Sequence, residues 1–364
     1  MRFPGFEGEW KSKKLGEIAT FSKGKGISKS DIEENGLTEC IRYGELYTYY
    51  GEVINDIKSK TNVDTSNLVL SEVNDVIIPA SGETTIDIAT ASCVLKSGIA
   101  LGGDLNIIKT ENNGVFLSYY LNNKKKMEIA NLAQGISVVH LYSSQLATLT
   151  LNFPKLEEQN RISTFLALFD ARIQTQNKII EQLETLIKGL CQKLILSQSP
   201  NIKLKDCVSC YSSALTESTV MNENGIYPVY GANGIISFID NYQIDSDSIL
   251  IIKDGAGVGK VQFARGKLSI IGTLNYFIAK SGTNLKYIFY SLKFFTFEKY
   301  KVGSGIPHIY FKDYGESLFF CPSFDEQRNI EQLLSSIDEK INIQKILLQK
   351  YELQKKHLLQ NLFI

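Results

Sequence analysis

The clearest hydrophobic pattern in the chain lies between Pro154 and Leu194, where apolar residues recur at the 3.5-residue spacing of a coiled-coil seam. With Ile162 as position a of a heptad, nine of the ten a and d positions are apolar, and the exception is Gln176. The ten positions are Ile162, Leu166, Phe169, Ile173, Gln176, Ile180, Leu183, Ile187, Leu190 and Leu194. The pattern predicts a long helix within residues 154–199, which Pro200 ends because proline has no amide hydrogen.

The same pattern returns 168 residues later, in residues 322–364, without a gap. The corresponding positions are Ile330, Leu334, Ile337, Ile341, Gln344, Leu348, Tyr351, Lys355, Leu358 and Leu362. Identical pairs include Pro154/Pro322, Glu158/Glu326, Gln159/Gln327, Asp170/Asp338 and Gln176/Gln344. Two matched helices, each with a narrow apolar face, are expected to pair with one another. The alternative is that each helix packs on its own domain.

The segments before the helices predict two strand-rich, mixed domains, at residues 1–153 and 200–321. In the first, Val76–Ile78, Leu105–Ile108 and Leu149–Phe153 are short apolar runs bounded by turn residues and predict strands. Residues Ser22–Lys29 predict a flexible basic loop, and Phe116–Met127 predicts a short helix. The expected fold class is therefore α+β, with two globular domains and two spacer helices.

The two globular segments also correspond to each other, although more weakly than the helices do. The matching pairs are Leu15–Ile18 with Leu204–Cys207, Asp75–Gly82 with Ser248–Gly255, and Gln134–Ile136 with Ser304–Ile306. The chain is therefore interpreted as a duplication in which the helices stayed alike and the globules diverged. Such a frame suits a molecule that recognises two different things at a set separation.

Composition is that of an ordinary folded soluble protein of two or three domains, with 364 residues, 43% of them hydrophobic. The 39 basic and 39 acidic residues cancel, so net charge does not indicate a nucleic-acid partner. Their distribution is uneven, however, because residues 31–72 carry a net charge of −6 and residues 250–320 one of +6. No signal peptide and no membrane span is predicted, and the six scattered cysteines are expected to be reduced thiols in the cytoplasm.

Motifs for catalysis are not found. The three histidines form no i, i+4 ligand pair, no two prolines are adjacent as an amino-methyltransferase loop requires, and Cys207 and Cys210 have no second pair to complete a zinc site. Residues Gly255–Val261 depart from a phosphate-binding loop at both ends, so a glycine turn between two strands is predicted there. We therefore expect no catalytic residue, metal or cofactor in this chain.

Two variable globules, each followed by a matching helix that begins Pro-x-x-(Glu/Asp)-Glu-Gln, resemble the specificity subunit of Type I restriction–modification systems. Trp10–Glu17, Tyr227–Gly234 and Ile251–Ala256 are similar to stretches of that family's target recognition domains. The resemblance covers essentially the whole chain. It implies a non-catalytic reader of duplex DNA whose two target recognition domains each read half of a split, asymmetric site through the major groove. It also implies that the helices form an antiparallel coiled coil, related by a pseudo-twofold repeat, that separates the domains.

The same resemblance implies partners. Two modification subunits, which bind S-adenosylmethionine and methylate adenine N6, would assemble on this chain, and restriction subunits that cut DNA would complete the complex. A helix of about 38 residues would be a rod of ~55 Å, the scale of one to two turns of DNA.

Groove readout requires side chains that hydrogen-bond to base edges and cations that contact phosphates. In the first domain the residues predicted to bind DNA are Lys23, Lys25, Lys29, Arg42, Tyr43, Ser81, Thr84 and Thr85. In the second domain they are Lys253, Lys260, Lys301, Ser304, His308 and Lys312.

Two other classes of function stay open at this point. A scaffold whose coiled coil recruits partners, with heads that bind proteins or glycans, predicts no salt-dependent binding to duplex DNA. A self-contained nuclease or methyltransferase is the third possibility, and its methyltransferase form predicts that the purified chain binds S-adenosylmethionine.

Overall fold

The computed structural model describes residues 2–221 and 225–363 and divides the chain into two compact units. Unit 1 comprises Met1–Thr175 and Leu348–Ile364, and unit 2 comprises Gln176–Leu347. Each unit therefore contains one strand-rich globule and a stretch of each long helix. The predicted boundaries at residues 153 and 321 instead set the helices apart as segments of their own.

Unit 1 is built from short strands and short helices. The strands are β1 (Lys11–Lys14), β2 (Ala19–Lys23), β3 (Thr38–Ile41), β4 (Val53–Ile54), β5 (Ser59–Thr61), β6 (Val69–Leu70), β7 (Asp75–Pro79), β8 (Ser81–Gly82), β9 (Ser92–Val94), β10 (Ala100–Leu101), β11 (Leu105–Thr110), β12 (Val139–His140) and β13 (Thr150–Phe153). The helices are α1 (Leu15–Ile18), α2 (Glu45–Thr48), α3 (Thr85–Ile88), α4 (Gly114–Asn123), α5 (Lys126–Leu132) and α6 (Ser143–Leu146), with 3₁₀ turns at Lys29–Asp31 and Thr65–Asn67. The three predicted strands are confirmed as β7, β11 and β13.

The central strands of unit 1 are buried on both faces, which explains their unbroken apolar sequence. They belong to a five-stranded sheet of order β2-β11-β7-β9-β4, in which Ile77 lies opposite Ile107. Val76 and Ile78 point to the core that includes Phe116 of α4, whereas Ile77 points to the core of the four-stranded sheet β5-β3-β10-β6. Alternate residues of one strand therefore hold two layers together.

Two local predictions in this unit were correct only in part. Ser22 and Lys23 are not in a loop, because they end strand β2, where they lie opposite Ile107 and Asn106. The strand is at the edge of its sheet, so polar side chains can face solvent there without loss of the ladder. The predicted helix 116–127 is two helices, α4 and α5, and α4 begins earlier because Asn113 caps it by accepting a 2.8 Å hydrogen bond from the Phe116 amide.

The two long helices come after the globules, as predicted. The first, α7 (Leu156–Cys191), continues into a π-helical turn at Gln192–Leu196, and the second, α12, covers Phe324–Leu362. Unit 2 also contains strands β14 (Ile202–Lys203), β15 (Val208–Ser212), β16 (Tyr227–Gly231), β17 (Gly234–Ile239), β18 (Ser248–Ile252), β19 (Val261–Ala264), β20 (Ser269–Ile270), β21 (Leu274–Ala279) and β22 (Leu318–Phe319). Its short helices are α8 (Leu204–Cys207), α9 (Glu217–Val220), α10 (Leu285–Lys293) and α11 (Phe311–Tyr314), with a 3₁₀ turn at Glu298–Tyr300.

Unit 2 repeats the plan of unit 1, which confirms the predicted duplication. Its main sheet has the order β15-β21-β18-β19, and β18 is buried on both faces as β7 is. Ile249 and Ile251 pack into the core that includes Ile288 of α10, whereas Leu250 packs into a second core with Val229. Strands β18 and β19 pair antiparallel, which confirms the glycine turn predicted between them.

The long helices pack against each other within each unit, in opposite chain directions. In unit 1, Asp170 of α7 contacts Lys355 of α12, and in unit 2, Gln176 contacts Gln344. Ten seam residues are buried, namely Ile162, Leu166, Gln176, Ile180, Ile187, Ile330, Leu334, Ile337, Ile341 and Leu362. Phe169, Ile173, Leu183, Gln344 and Leu348 are half-buried. The antiparallel coiled coil is confirmed. In the described part of the chain no helix has both the length and the hydropathy needed to cross a bilayer.

Candidate nucleic-acid interface

Two loops, at residues 134–141 and 302–309, are closed by the same backbone hydrogen bonds, and we call them the histidine loops. The amide of Gln134 donates to the His140 carbonyl at 2.9 Å, and the His140 amide donates back at 2.7 Å. Val302 and His308 make the equivalent pair, at 2.9 and 2.8 Å. Each loop is therefore a hairpin that is closed by a backbone hydrogen-bonded pair at a histidine.

A glycine is required at the same place in both histidine loops. Gly135 has φ 131° and Gly303 has φ 94°, which side-chain-bearing residues rarely adopt. A Cβ would lie 2.1 Å from the Val138 carbonyl oxygen in the first loop and 2.6 Å from the Ile306 carbonyl oxygen in the second. Substitution of either glycine would therefore force the loop to open.

These glycines correct the predicted correspondence of Gln134–Ile136 with Ser304–Ile306. Sequence matching aligned the Gly-Ile dipeptides, but backbone conformation and hydrogen bonding put Gly135 in the place of Gly303 and His140 in that of His308. Both pairs are 168 residues apart, as the helices are. His140 was thus missed as a site residue. The signal was available, because the same shift places His140-Leu141-Tyr142 on His308-Ile309-Tyr310.

Both histidine loops are fastened to the end of the central buried strand of their unit. The Leu141 amide donates to the Ala80 carbonyl at 3.0 Å, and the Ile309 amide donates to the Lys253 carbonyl at 2.9 Å. Strand β12 also pairs with β8, so that His140 lies opposite Ser81. The loops are consequently held at the ends of strands that are buried along their whole length.

The side chain beside each histidine differs between the units. In unit 2 the His308 Nδ1 atom lies 2.6 Å from the Asp254 Oδ1 atom. In unit 1 the equivalent neighbour is Ser81, which is buried in β8. Thr84 caps α3 by accepting a hydrogen bond from the Asp87 amide, and Thr85 is the first residue of that helix. The two units therefore present different chemistry at equivalent places.

Each histidine loop leads into an exposed tyrosine with a lysine over its ring. The Lys23 Nζ atom lies 5.8 Å from the centroid of the Tyr142 ring, and the Lys312 Nζ atom lies 5.4 Å from that of Tyr310. Tyr142 and Tyr310 are 46% and 48% exposed. These distances are within the range of cation–π contacts.

The remaining predicted residues of unit 1 lie around one cleft or beside it. Lys29, Arg42 and Tyr43 line a cleft of about 790 Å³. Arg42 forms a 3.2 Å ion pair with the buried Glu45, so its guanidinium is partly engaged within the protein. Lys25 is exposed, and its amide donates to the Leu101 carbonyl at 2.8 Å.

In unit 2 the predicted residues fall into two groups. Ser304 and His308 lie in the histidine loop and Lys253 lies beside it, whereas Lys260 and Lys301 line a separate cleft of about 520 Å³. Lys301 is paired with Glu298 at 2.6 Å. Contact of any of these residues with DNA stays a prediction. Among the residues the structure describes, no group of three or more His, Cys, Asp or Glu side chains is arranged to hold a metal ion.

In each unit one buried glutamine fixes the globule to the long helix that follows it. The Gln159 Oε1 atom accepts a 3.0 Å hydrogen bond from the Asn113 amide, and its Nε2 atom donates to the Pro154 carbonyl at 3.0 Å. Gln327 makes the same bonds to Asn284 and Pro322, at 2.8 and 2.9 Å. Asn113 and Asn284 cap α4 and α10, so the repeated Pro and Gln orient the main globule helix on the long helix.

A tyrosine and a repeated aspartate make a second attachment in each unit. The Tyr119 hydroxyl donates to Asp170, and the Tyr290 hydroxyl donates to Asp338 at 3.3 Å. Burial raises the pKa of both tyrosines, which keeps them protonated as donors. Lys355 lies 2.6 Å from Asp170, and Lys293 lies 3.1 Å from Asp338. The positive charge of Lys355, which lies in the seam, is thereby compensated by a carboxylate.

Comparison with known proteins agrees with this architecture. The family model described as Type I restriction modification DNA specificity domain matches residues 7–185 and again residues 201–353. The Type I restriction enzyme MjaVIII specificity subunit of Methanocaldococcus jannaschii is 24% identical over 400 residues, which cover 96% of this chain and 91% of that protein.

Solved structures show the same fold at low sequence identity. The S subunit of a Type-I restriction-modification system from M. genitalium has a TM-score of 0.76 and 18% identity, and the match covers 100% of this chain and 99% of that one. A chain from a study of complex assembly and conformational transition of the type I R-M system has a TM-score of 0.55 and 16% identity, over 97% and 96% of the two chains. The two matched segments together span most of the sequence, and the chain belongs to the family of Type I restriction–modification DNA specificity subunits.

Proposed function

We propose that this chain reads a bipartite, asymmetric site in duplex DNA and recruits two modification subunits to it. The chain supplies recognition, and the modification subunits bind S-adenosylmethionine and methylate adenine. Restriction subunits join the same complex, which works in the cytoplasm. The observation that carries the proposal is the pair of units with one plan and different side chains at equivalent positions, such as Ser81 and Asp254.

An asymmetric site is the expected ligand of such a pair. Serine hydroxyls and carboxylates form hydrogen bonds of different kinds with base edges, since a carboxylate accepts from the cytosine amino group and a hydroxyl can both donate and accept. The clefts differ as well, because Arg42 lines a mixed-charge cleft in unit 1, whereas three lysines and one glutamate line the cleft in unit 2. Two unlike surfaces would read two unlike half-sites.

Assembly with other subunits is proposed from the relatives. The M. jannaschii protein carries the name of a restriction enzyme's specificity subunit, and one similar chain comes from a study of complex assembly in a type I R-M system. Their similarity to this chain supports the same place in a multi-subunit complex. The absence of catalytic motifs from the sequence is consistent with catalysis in the partners.

The test is methylation by the assembled complex. The chain is purified with the modification subunits of its own system, incubated with S-adenosylmethionine and genomic DNA, and the modified adenines are located by sequencing. We expect N6-methyladenine at a single motif of two different half-sites separated by a fixed spacer. Modification subunits without this chain provide the control. Methylation without a bipartite motif would contradict the proposal. A complex that binds no duplex would also contradict it and would favour the protein-binding scaffold.

A further inference from the structure

We propose that the Lys23–Tyr142 and Lys312–Tyr310 pairs, which directly follow or adjoin the histidine loops, bind the sugar–phosphate backbone of the DNA and do not read its bases. The backbone is common to both half-sites. The inference rests on the proposed function, since it requires that the chain bind duplex DNA. It assigns different roles to residues that the sequence grouped together as DNA-binding.

The first support is the rigidity of the setting. Each tyrosine comes directly after a closed histidine loop that is fastened to β7 or β18 through Ala80 or Lys253. In unit 1 the rings of His140 and Tyr142 are also stacked, with centroids 6.4 Å apart. This setting presents the tyrosine hydroxyl and the lysine ammonium in one position. Contacts that set the register of a protein on DNA require such a fixed position.

The second support is that the lysine comes from different elements in the two units. Lys23 ends β2 and lies opposite Asn106, and the residue at that place in unit 2 is Ser212, opposite Asn275. Lys312 lies in α11, and the residue 168 positions before it is Ser144. Each unit therefore has one lysine over the tyrosine, built from positions that are serine in the other unit.

Both units have a lysine over the tyrosine, although the lysine comes from different elements and the surrounding surfaces have diverged. This indicates that both units contact the same feature of the ligand. The half-sites of an asymmetric site differ in base sequence, and the feature they share is the sugar–phosphate backbone. The chemistry fits, because an ammonium and a phenol both donate hydrogen bonds to phosphate oxygens. Base discrimination is then left to positions that differ, among them Ile136 against Ser304 and Ser81 against Asp254.

The experiment uses the full complex and four variants, Lys23→Ala, Lys312→Ala, Tyr142→Phe and Tyr310→Phe. Binding to a duplex with the methylated motif and to a scrambled duplex is measured from low to high salt. We expect each lysine variant to weaken both affinities by the same factor, roughly 3- to 10-fold, and to reduce the slope of log K against log salt by about 1. The motif found by sequencing should not change. Lys178→Ala, an exposed lysine of α7, is the matched control for loss of charge.

Three results would overturn the inference, namely a changed motif, a salt slope equal to that of wild type, and loss of modification subunits from the complex. The last would place the lysines in a subunit interface. Failure of the wild-type complex to bind duplex DNA would instead refute the proposed function, so the two failures are distinguishable.

Discussion

Gln159 and Gln327 are each 1% exposed, and their hydrogen bonds explain why the same short motif opens both long helices. Removal of a buried acceptor leaves the Asn113 or Asn284 amide without its partner, which costs about 1–3 kcal/mol. We therefore expect Gln159→Leu and Gln327→Leu each to lower the free energy of unfolding by that amount in urea titrations. Gln174→Leu, on the exposed side of α7, should change it by less than about 0.5 kcal/mol. Equal losses in all three variants would rule out the anchoring role.

A second prediction concerns the buried thiol of Cys93 in β9. Burial raises its pKa from the ordinary 9.0 to about 12, with Asp75 adding to the effect. Above pH 9 the unfolded chain therefore loses this proton while the folded chain keeps it. The stabilisation is fully present below pH 9 and is lost as pH rises towards 12, at up to about 1.4 kcal/mol per pH unit.

Cys93→Ala should therefore make the alkaline fall in unfolding free energy shallower by up to about that slope. Urea titrations between pH 8 and 10.5, in the presence of reductant, measure the effect. Val94→Ala serves as the control, because it removes apolar volume from the same strand and should lower stability equally at every pH. A slope unchanged in Cys93→Ala would mean that this thiol titrates alike in both states.

Elements whose pattern is local could be predicted from the sequence. The heptads predicted α7 and α12 and their pairing, and the unbroken apolar runs predicted β7 and β11. A helix that buries one long stripe needs apolar residues at the heptad spacing, and a strand that is buried on both faces needs an unbroken apolar run. Strand β2 has no such apolar pattern, because it lies at the edge of its sheet, where the polar residues Ser22 and Lys23 are tolerated. The contact of His308 with Asp254 could not be predicted either, because the two residues are 54 positions apart in sequence and meet only when the chain folds back in three dimensions.

The central polar pair of the coiled coil is the element whose energetics can be tested most directly. Gln176, 5% exposed, donates from Nε2 to the Gln344 side chain and lies 3.3 Å from the Gln344 carbonyl oxygen. Polar residues at such positions specify register at a cost in stability. The double variant Gln176→Leu with Gln344→Leu is therefore expected to raise the melting temperature.

The single variant Gln344→Leu provides the comparison for this pair. It leaves the Gln176 amide buried without its side-chain acceptor and should unfold more easily than the double variant, by about 1–3 kcal/mol. Calorimetry of wild type and both variants distinguishes the outcomes. A melting temperature several degrees lower in the double variant would show that the glutamines stabilise the helices rather than select their register.

At the scale of the whole molecule, one constant offset identifies which parts of the repeat form the frame. The offset is 168 residues through the histidine loops and the long helices, but 173 between Ala80 and Lys253 and 189 between Leu15 and Leu204. Changes in length have therefore accumulated upstream of the histidine loops. The fixed frame includes the loops, which is why they carry contacts common to both units in our proposal.

The proposed function predicts that helix length sets the spacer between the half-sites. Four residues inserted into α7 between Thr175 and Gln176 add about 6 Å of helix and, at about 100° per residue, rotate the downstream part of α7 by about 40°. One added base pair lengthens DNA by about 3.4 Å and rotates it by about 35°. Because both the added length and the added rotation are close to those of one or two base pairs, we expect the methylated motif to keep its half-sites and to gain one or two base pairs of spacer. Sequencing of modified adenines reads this directly.

An insertion of three residues is the discriminating control. It adds about 4.5 Å, similar to the four-residue insertion, but rotates the downstream part of α7 by about 60° in the opposite sense. The length of the DNA can be matched by one added base pair, whereas the rotation cannot, since added base pairs turn the duplex in one direction. We therefore expect methylation to fall sharply with three inserted residues and to persist with four. Equal activity of the two variants with an unchanged spacer would mean that the helices do not measure the site, and that flexible attachment of the units determines the separation instead.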